Sequence, residues 1–516
     1  MLTYRKGATR CARAIGCARA IGCGVVITCD LHPDIFVSEI SKRMTRSKSK
    51  LPPGPWTLPF IGSLHHLATA HLPHHALREL AQFHGPVMLL RAGEIDLVVL
   101  SSREAAKEVL KSQDAKLANR PAMIAANLLG YGCTDIVFSN GTYWRQLRRI
   151  CTTELFSSKQ VKSFSSIRRE EINSLLKSFT SFPDESPVNL SEMTSELSNH
   201  IIIRAAFGGK FKDKGPLLEI MSGVLESFSG FNLSDLFPSL SWLDFNMRRR
   251  FMRLHSKLDL VLEEILKEHL IKQKQQQNQK GDEVVEYDLV DVLINVKENG
   301  DLEEPITMDT IKSVILDVLF AGTESSATTI TWAMAELIRH PEVMAKAQAE
   351  LRKAATINEK SLDYLKFVIK ETLRMHPPGP LLVPRVCHES CQILGYTIPS
   401  GSRIIVNAWA LGRNPNYWDD PEEFKPERFE TSAIDFKGHD FEFLPFGAGR
   451  RICPGLEFSV TLVEEALAKI LLHFDWELSN GMKPNDLDMT ETFGITAAKK
   501  EPLLLIPTLR VPLPDC

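Results

Sequence analysis

Near the C-terminus the chain reads Phe446-Gly447-Ala448-Gly449-Arg450-Arg451-Ile452-Cys453-Pro454-Gly455. The glycines and the proline make a tight loop, and Leu456 to Leu472 has helical periodicity, so Cys453 stands just before a helix N-terminus. The charges of Arg450 and Arg451 and the helix dipole all favour thiolate over thiol. A thiolate held in such a loop is a metal or haem ligand, or a nucleophile; an inert buried cysteine needs none of this chemistry around it.

Two other stretches could carry chemistry. Glu371 and Arg374 are spaced i,i+3 and so share one helix face, although alone such a pair is usually solvated and nearly neutral in energy. The longest helical stretch runs from about Met308 to Arg339 and stops at His340-Pro341, roughly 48 Å at 1.5 Å per residue. Its centre is Ala321-Gly322-Thr323-Glu324-Ser325-Ser326, followed by Thr328, Thr329 and Thr331. Serine and threonine compete for backbone hydrogen bonds in mid-helix. A core helix that accepts them either lines a cavity or crosses another helix at small residues.

Phe446, Gly449, Arg451, Cys453 and Gly455 fill every fixed place of the F-x-x-G-x-R-x-C-x-G haem loop of cytochromes P-450. The chain resembles that family from about Leu51 to Arg510, and its closest likeness is to the plant A-type branch that oxidises terpenoids, alkaloids, phenylpropanoids and indoles. Glu371-Thr372-Leu373-Arg374 matches the family's E-x-x-R, and Pro426-Glu427-Arg428-Phe429 its P-E-R-F. The resemblance implies a Glu371–Arg374–Arg428 network that braces the haem side. Ala321 to Ser326 resembles the A/G-G-x-D/E-T-T/S segment of the central helix, and Trp144-Arg145-Gln146-Leu147-Arg148 the W-R-x-x-R helix. By the same resemblance Trp144, Arg148, Arg385 and Arg451 are expected to hold the haem propionates. Cys453 is expected as the axial iron ligand, in a mainly α fold with a small β-rich N-terminal region and the haem between the long helix and the Cys-loop helix.

These likenesses imply a haem b monooxygenase fed by NADPH through a cytochrome P-450 reductase, because axial thiolate favours O–O cleavage. Glu324 and Ser325 are the expected acid–alcohol pair for proton delivery, with Gly322 leaving room for O2. The expected pocket walls include Ala321, Gly322, Leu381, Val383, Phe493 and Ile495. They are mostly apolar, which suits a hydrophobic substrate oriented by shape: a terpenoid first, with an alkaloid or a phenylpropanoid/lignan as alternatives. A haem-thiolate isomerase of the same fold, needing neither O2 nor reductase, is the rival, as is a non-catalytic haem protein. Three departures from the family stand out: the N-terminal anchor is not evident and a CARAIG repeat stands in its place, Ser325 replaces the usual threonine, and the segment from Arg352 to Leu365 is short.

The rest of the chain must position these residues. Of 516 residues, 44% are hydrophobic and 24% charged, with 61 Lys+Arg against 64 Asp+Glu. Those values describe a large globular body and supply no field for nucleic acid. Ten cysteines are too few for a disulfide scaffold. Residues 1–50 read as an atypical leader with CARAIG twice in succession, and the polar Ser41–Lys50 leads into the proline-rich Leu51-Pro52-Pro53-Gly54-Pro55, where a single catalytic domain, 51–516, is expected to begin. Cys11, Cys17, Cys23 and Cys29 recur every six residues without the close CxxC pairs of a zinc site. No run in the leader approaches the ~20 apolar residues of a membrane span. The resemblance implies the cytosolic face of the endoplasmic reticulum, and an anchor is not evident in this sequence. Strands are expected at Val87–Arg91 and Leu97–Leu100, and Lys272–Lys280 as an exposed loop or helix end.

Overall fold

The computed structural model describes residues 50–513 apart from 69–71, 184, 209–216, 218–219, 222, 225–226, 228–231, 279–286, 301, 354–361 and 493. The cysteine-bearing leader, most of the short segment before Leu365, and Phe493 lie outside the described residues.

Helices dominate. Those that build the site are α1 (Pro73–His84), α2 (Gly141–Ile150), α3 (Ser165–Ser181), α4 (Leu190–Phe207), α5 (Phe245–Asn278), α6 (Met308–Arg339), α7 (Asp363–Met375) and α8 (Leu456–His473). The start of α6 is fixed by a reciprocal capping box between Thr307 and Thr310, which satisfies donors left free in a first turn. Its end falls at Arg339, before Pro341 removes a backbone donor. Lys272–Asn278 continues α5. α4 packs along α6, and α7 and α8 also lie against it. Ile201, Ile330, Trp332, Leu462 and Leu467 meet there in the main apolar core.

The expected early strands are present as β1 (Val87–Ala92) and β2 (Ile95–Leu100), an antiparallel pair. They do not form a sheet of their own. β2 also pairs in parallel with β7 (Arg403–Val406), and β7 pairs with β4 (Arg385–Val386). The β-rich region therefore combines the N-terminal hairpin with strands some 300 residues later, and this places Arg385 beside the start of the body. The hairpin β5–β6 (Cys391–Ile393, Tyr396–Ile398) stands apart, and β3 (Val188–Asn189), β8 (Phe474–Leu478) and β9 (Leu504–Leu509) form a second sheet. Among the described residues no helix is long and apolar enough to cross a membrane.

Candidate functional site

The Cys loop is closed by its own backbone, where Cys453 N–H donates to Phe446 O at 3.0 Å. Gly449 has φ +69, and a Cβ there would fall 2.1 Å from Leu110 O and 2.8 Å from Asp114 Oδ2. Only glycine lets the loop lie this close to that segment. Asp114 then ties two elements together, since its carboxylate accepts from Arg450 N–H at 2.7 Å and from the Arg385 guanidinium. Cys453 keeps some accessible surface, yet burial pushes its thiol up, against the pull of the Gly455 N–H and the Arg148 charge. Its surface therefore faces the interior of the body.

The expected role of the two flanking arginines needs correction. The side chain of Arg450 is half exposed and lies 4.0 Å from Asp114, and Arg451 turns away toward residues 118–140. The cation that favours thiolate here is Arg148, from α2. Neighbours in sequence within a tight turn need not point the same way.

Four guanidiniums gather on this side. Arg451 Nε donates to Ala118 O (2.9 Å), one terminal nitrogen to Ile136 O and Val137 O (3.2 and 3.3 Å), and the other to Ser139 O and Asn140 Oδ1 (2.6 and 3.1 Å). An arginine has five N–H groups, and all are taken by this chain. These bonds tie the Cys loop to the segment between Ala118 and Asn140. Arg120, which the sequence reading passed over, is buried and donates to the carbonyls of Val137, Val383 and Pro384. Burial, then Arg385 and Arg451, push its pKa well down. Arg385 gives two groups to Asp114 and Ala448 O and keeps others free.

The residues present fit haem. Trp144 and Arg148 stand at i,i+4 on α2, and among the described residues neither the indole N–H nor the guanidinium of this pair donates to anything. Trp144 is buried and Arg148 half-buried. Neither side chain is among the buried groups left without a partner, so both keep open surface that an anion such as a propionate can reach. Cys453 supplies a soft ligand beneath the same region.

Across from the Cys loop, α6 is buried along most of its length, yet Ala321 at its middle is exposed and Gly322, Glu324 and Ser325 are half-buried. The helix thus presents one bare face at its centre. The hydroxyl run divides between roles. Ser326 Oγ meets Ser459 Oγ of α8 at 3.0 Å, Thr331 Oγ1 meets Thr194 Oγ1 of α4 at 3.0 Å, and Ser198 Oγ donates to Gly322 O. A Cβ on Gly322 would fall 2.6 Å from Ile202 Cδ1, so glycine at this position lets α4 lie close. Glu324 and Ser325 do not touch. Burial raises the Glu324 carboxyl while the Thr496 hydroxyl lowers it, and Ser325 Oγ donates to Ala321 O at 2.6 Å. Trp332 Nε1 donates to Ala497 O at 2.9 Å, which holds the loop bearing Ile495 and Thr496 against α6. Val383 and Ile495 are exposed apolar side chains, whereas Leu381 packs on Leu77, Met88 and Ile405 under the sheet.

The brace is complete. Glu371 and Arg374 are fully buried and joined by two bonds of 2.7 and 2.8 Å, and Arg428 Nε donates to Glu371 at 2.9 Å. Carbonyls of Pro421 and Glu423 take further Arg374 donors. Because both charges are desolvated, removing any one partner strands the others in the interior.

A mainly helical body carries a glycine-rich cysteine loop at the start of α8, and α8 meets the long helix beside its bare centre through Ser459 and Ser326. The family model described as Cytochrome P450 matches residues 52–506, and the chain belongs to that family: it is a cytochrome P450 monooxygenase with haem as its cofactor. It is 48% identical over 480 residues, 91% of this chain and 94% of the relative, to desmethyl-deoxy-podophyllotoxin synthase of Sinopodophyllum hexandrum. With premnaspirodiene oxygenase of Hyoscyamus muticus it shares 46% over 484 residues, 92% and 96% of the two chains. A solved zebra fish cytochrome P450 with progesterone superposes with TM-score 0.72 at 26% identity, covering 84% of this chain and 99% of that one.

Proposed function

We propose that residues 51–516 hydroxylate a hydrophobic plant specialised metabolite, a terpenoid first, with electrons from NADPH delivered by a cytochrome P450 reductase at the cytosolic face of the endoplasmic reticulum. Haem bound through a cysteine thiolate supplies oxygen activation. The chain supplies the rest. Cys453 is the ligand, and Trp144, Arg148 and the free donors of Arg385 hold the propionates. Arg120 and Arg451 fix the surrounding backbone. Glu324 is the proton source, its carboxyl raised by burial, and Ser325, whose hydroxyl lies against the Ala321 carbonyl, is the relay that passes the proton on. Ala321, Val383 and Ile495 give the substrate an apolar wall, and apolar contacts orient it by shape.

The observation that carries this reading is the bare centre of α6, where an exposed alanine is flanked by a half-buried acid and a half-buried hydroxyl. Both groups persist, which disfavours an isomerase that needs no proton delivery. The lignan alternative is kept because one relative at 48% identity is named for a podophyllotoxin-type product; the relative at 46% is named for a terpene. Co-expression with a plant reductase in a microbial host fed sesquiterpene, diterpene and lignan scaffolds tests it. The expected result is an oxygenated terpenoid formed only with NADPH and O2 and lost in Cys453→Ala. Product formed without O2 would overturn the oxygenase reading; turnover of lignans alone would replace the terpenoid with the alternative.

A further inference from the structure

Far from Cys453 in sequence, three imidazoles converge on one carboxylate. His74 and His75 open α1 after Pro73, His376 follows the last residue of α7, and Glu491 precedes the loop that carries Thr496. His74 Nε2 lies 2.6 Å from Glu491 Oε2 and His75 Nε2 lies 3.5 Å from the same oxygen, while His376 Nδ1 lies 3.6 Å from Oε1. Only the first is a hydrogen bond. His75 Nε2 and His376 Nδ1 are buried with no partner.

His376 is also held from its other side, where Nε2 meets Glu336 Oε1 at 2.7 Å. Glu336 Oε2 is also buried without a donor. Two buried carboxylates meet here, and a buried charge is costly unless it is paired. The nearby Arg413 gives its donors to Met375 O and Glu422 and stacks over Trp409.

We propose that His74, His75 and Glu491 form a site for a divalent cation of the zinc type, with His376 and Glu336 supporting Glu491 from behind. The donor set is two imidazoles and one carboxylate, a three-ligand set that zinc takes with its fourth position open. The ligand atoms of His74, His75 and Glu491 lie within 4.8 Å of one another; tetrahedral zinc at ~2.0–2.2 Å from each would hold them roughly 3.3 Å apart. The 2.6 Å pair opens slightly and the 3.5 Å pair stays in place. The rings are already oriented: His376 stacks on Trp332 at 4.0 Å and 5°, and His75 on Trp409 at 4.1 Å. Three protein ligands leave the cation a fourth position for water. It would tie the start of α1 to the segment that leads into the loop bearing Thr496.

The test uses the full chain loaded with haem, dialysed against a chelator and titrated with zinc chloride alone, with zinc and iron measured by atomic emission. Wild type is expected to take up about one equivalent more zinc than His75→Ala, and to melt at higher temperature with zinc only when His75 is present. The N-terminal thiols are unchanged in that variant, so the difference belongs to this site. His75 is chosen because its ring is 42% exposed and its loss spares the fold. Glu491→Gln should weaken zinc binding by at least ~10-fold, within the range seen when a metal site loses a supporting group. His269→Ala, in a separate His–Asp cluster, should leave the His75-dependent equivalent in place. Zinc uptake that is identical in wild type and His75→Ala, or no uptake by either, would overturn the proposal and leave a hydrogen-bonded hub around Glu491.

Discussion

The Arg451 guanidinium lies 3.9 Å over the ring of Trp144 while its N–H groups go to oxygens between Ala118 and Asn140. The two residues are joined by cation–π attraction, and the arginine ties the Cys loop to the segment leading into α2. Arg148, one turn further along α2, has no such partners.

Truncating each arginine should therefore fail differently. Arg451→Ala strands several buried carbonyls, and hydrogen bonds to charged groups are worth ~1.5–3 kcal/mol each. A clear loss of denaturant stability, with little folded protein, is expected. Arg148→Ala should fold almost normally but release haem faster to an apomyoglobin trap. Equal haem release by wild type and Arg148→Ala would remove the propionate role from Arg148.

Glu371 offers the second prediction. Its carboxylate accepts from Arg374, from Arg428 and from Lys425 N–H, all in a dry interior. Glu371→Gln keeps the shape and leaves two guanidiniums without a counter-charge, at a cost of ~3–5 kcal/mol. Urea unfolding of the haem-loaded protein should show a fall of that order. Glu427→Gln is the control: Glu427 is the more exposed acid of the P-E-R-F segment, bonded to Lys346 and Tyr364, and should cost far less.

What was legible in the sequence was local. The Cys loop, the ends of α6 and the first two strands are each set by residues close in the chain: glycines, a proline, a capping threonine and alternating apolar positions. The partners of the arginines were not legible. Asp114 and Arg385 are 271 residues apart, and no spacing rule links an acid in one helix to a base in a later strand. The direction of Arg450 and Arg451 depends on where the carbonyls of residues 118–139 come to rest. The mid-helix hydroxyls carried a mixed signal because cavity lining and helix crossing use the same small residues; the structure divides them, with Ser325 on the bare side and Ser326 and Thr331 at crossings.

A pH dependence follows from two buried aspartates. Burial and then Asp135 raise Asp317 well above the ordinary range, while its Oδ2 accepts from Ile136 and Val137 N–H. Burial also pushes Asp135 up, to about 6. A raised carboxyl contributes stability that is full below the unfolded value of ~3.9 and is lost as pH rises through the folded value. Each tenfold difference in proton affinity is worth ~1.4 kcal/mol. Asp317→Asn stays neutral and can still accept from both N–H groups. Its apparent melting temperature relative to wild type should thus climb between pH 5 and pH 8. A difference that is flat over this range would mean that Asp317 is ionised without cost.

Ser325 gives the last prediction. Its hydroxyl donates to Ala321 O, so its lone pairs remain available to accept a proton while the back-bond holds the rotamer. Removing the oxygen should leave substrate binding and NADPH consumption in place, since neither needs this group. Proton delivery should fall, with less product and more hydrogen peroxide per NADPH. General acid–base groups are worth ~10²–10⁴-fold, but Glu324 stands on the next residue and water can substitute, so Ser325→Ala is expected to lower coupling by about 10-fold or less. Ser325→Thr keeps the hydroxyl, and its added methyl restricts χ1; coupling should equal or exceed that of wild type. Glu324→Gln, which removes the titrating acid, should fall further than Ser325→Ala. If Ser325→Ala couples as well as wild type while Glu324→Gln does not, the proton passes from Glu324 through water and the hydroxyl at 325 is only a helix-bending residue.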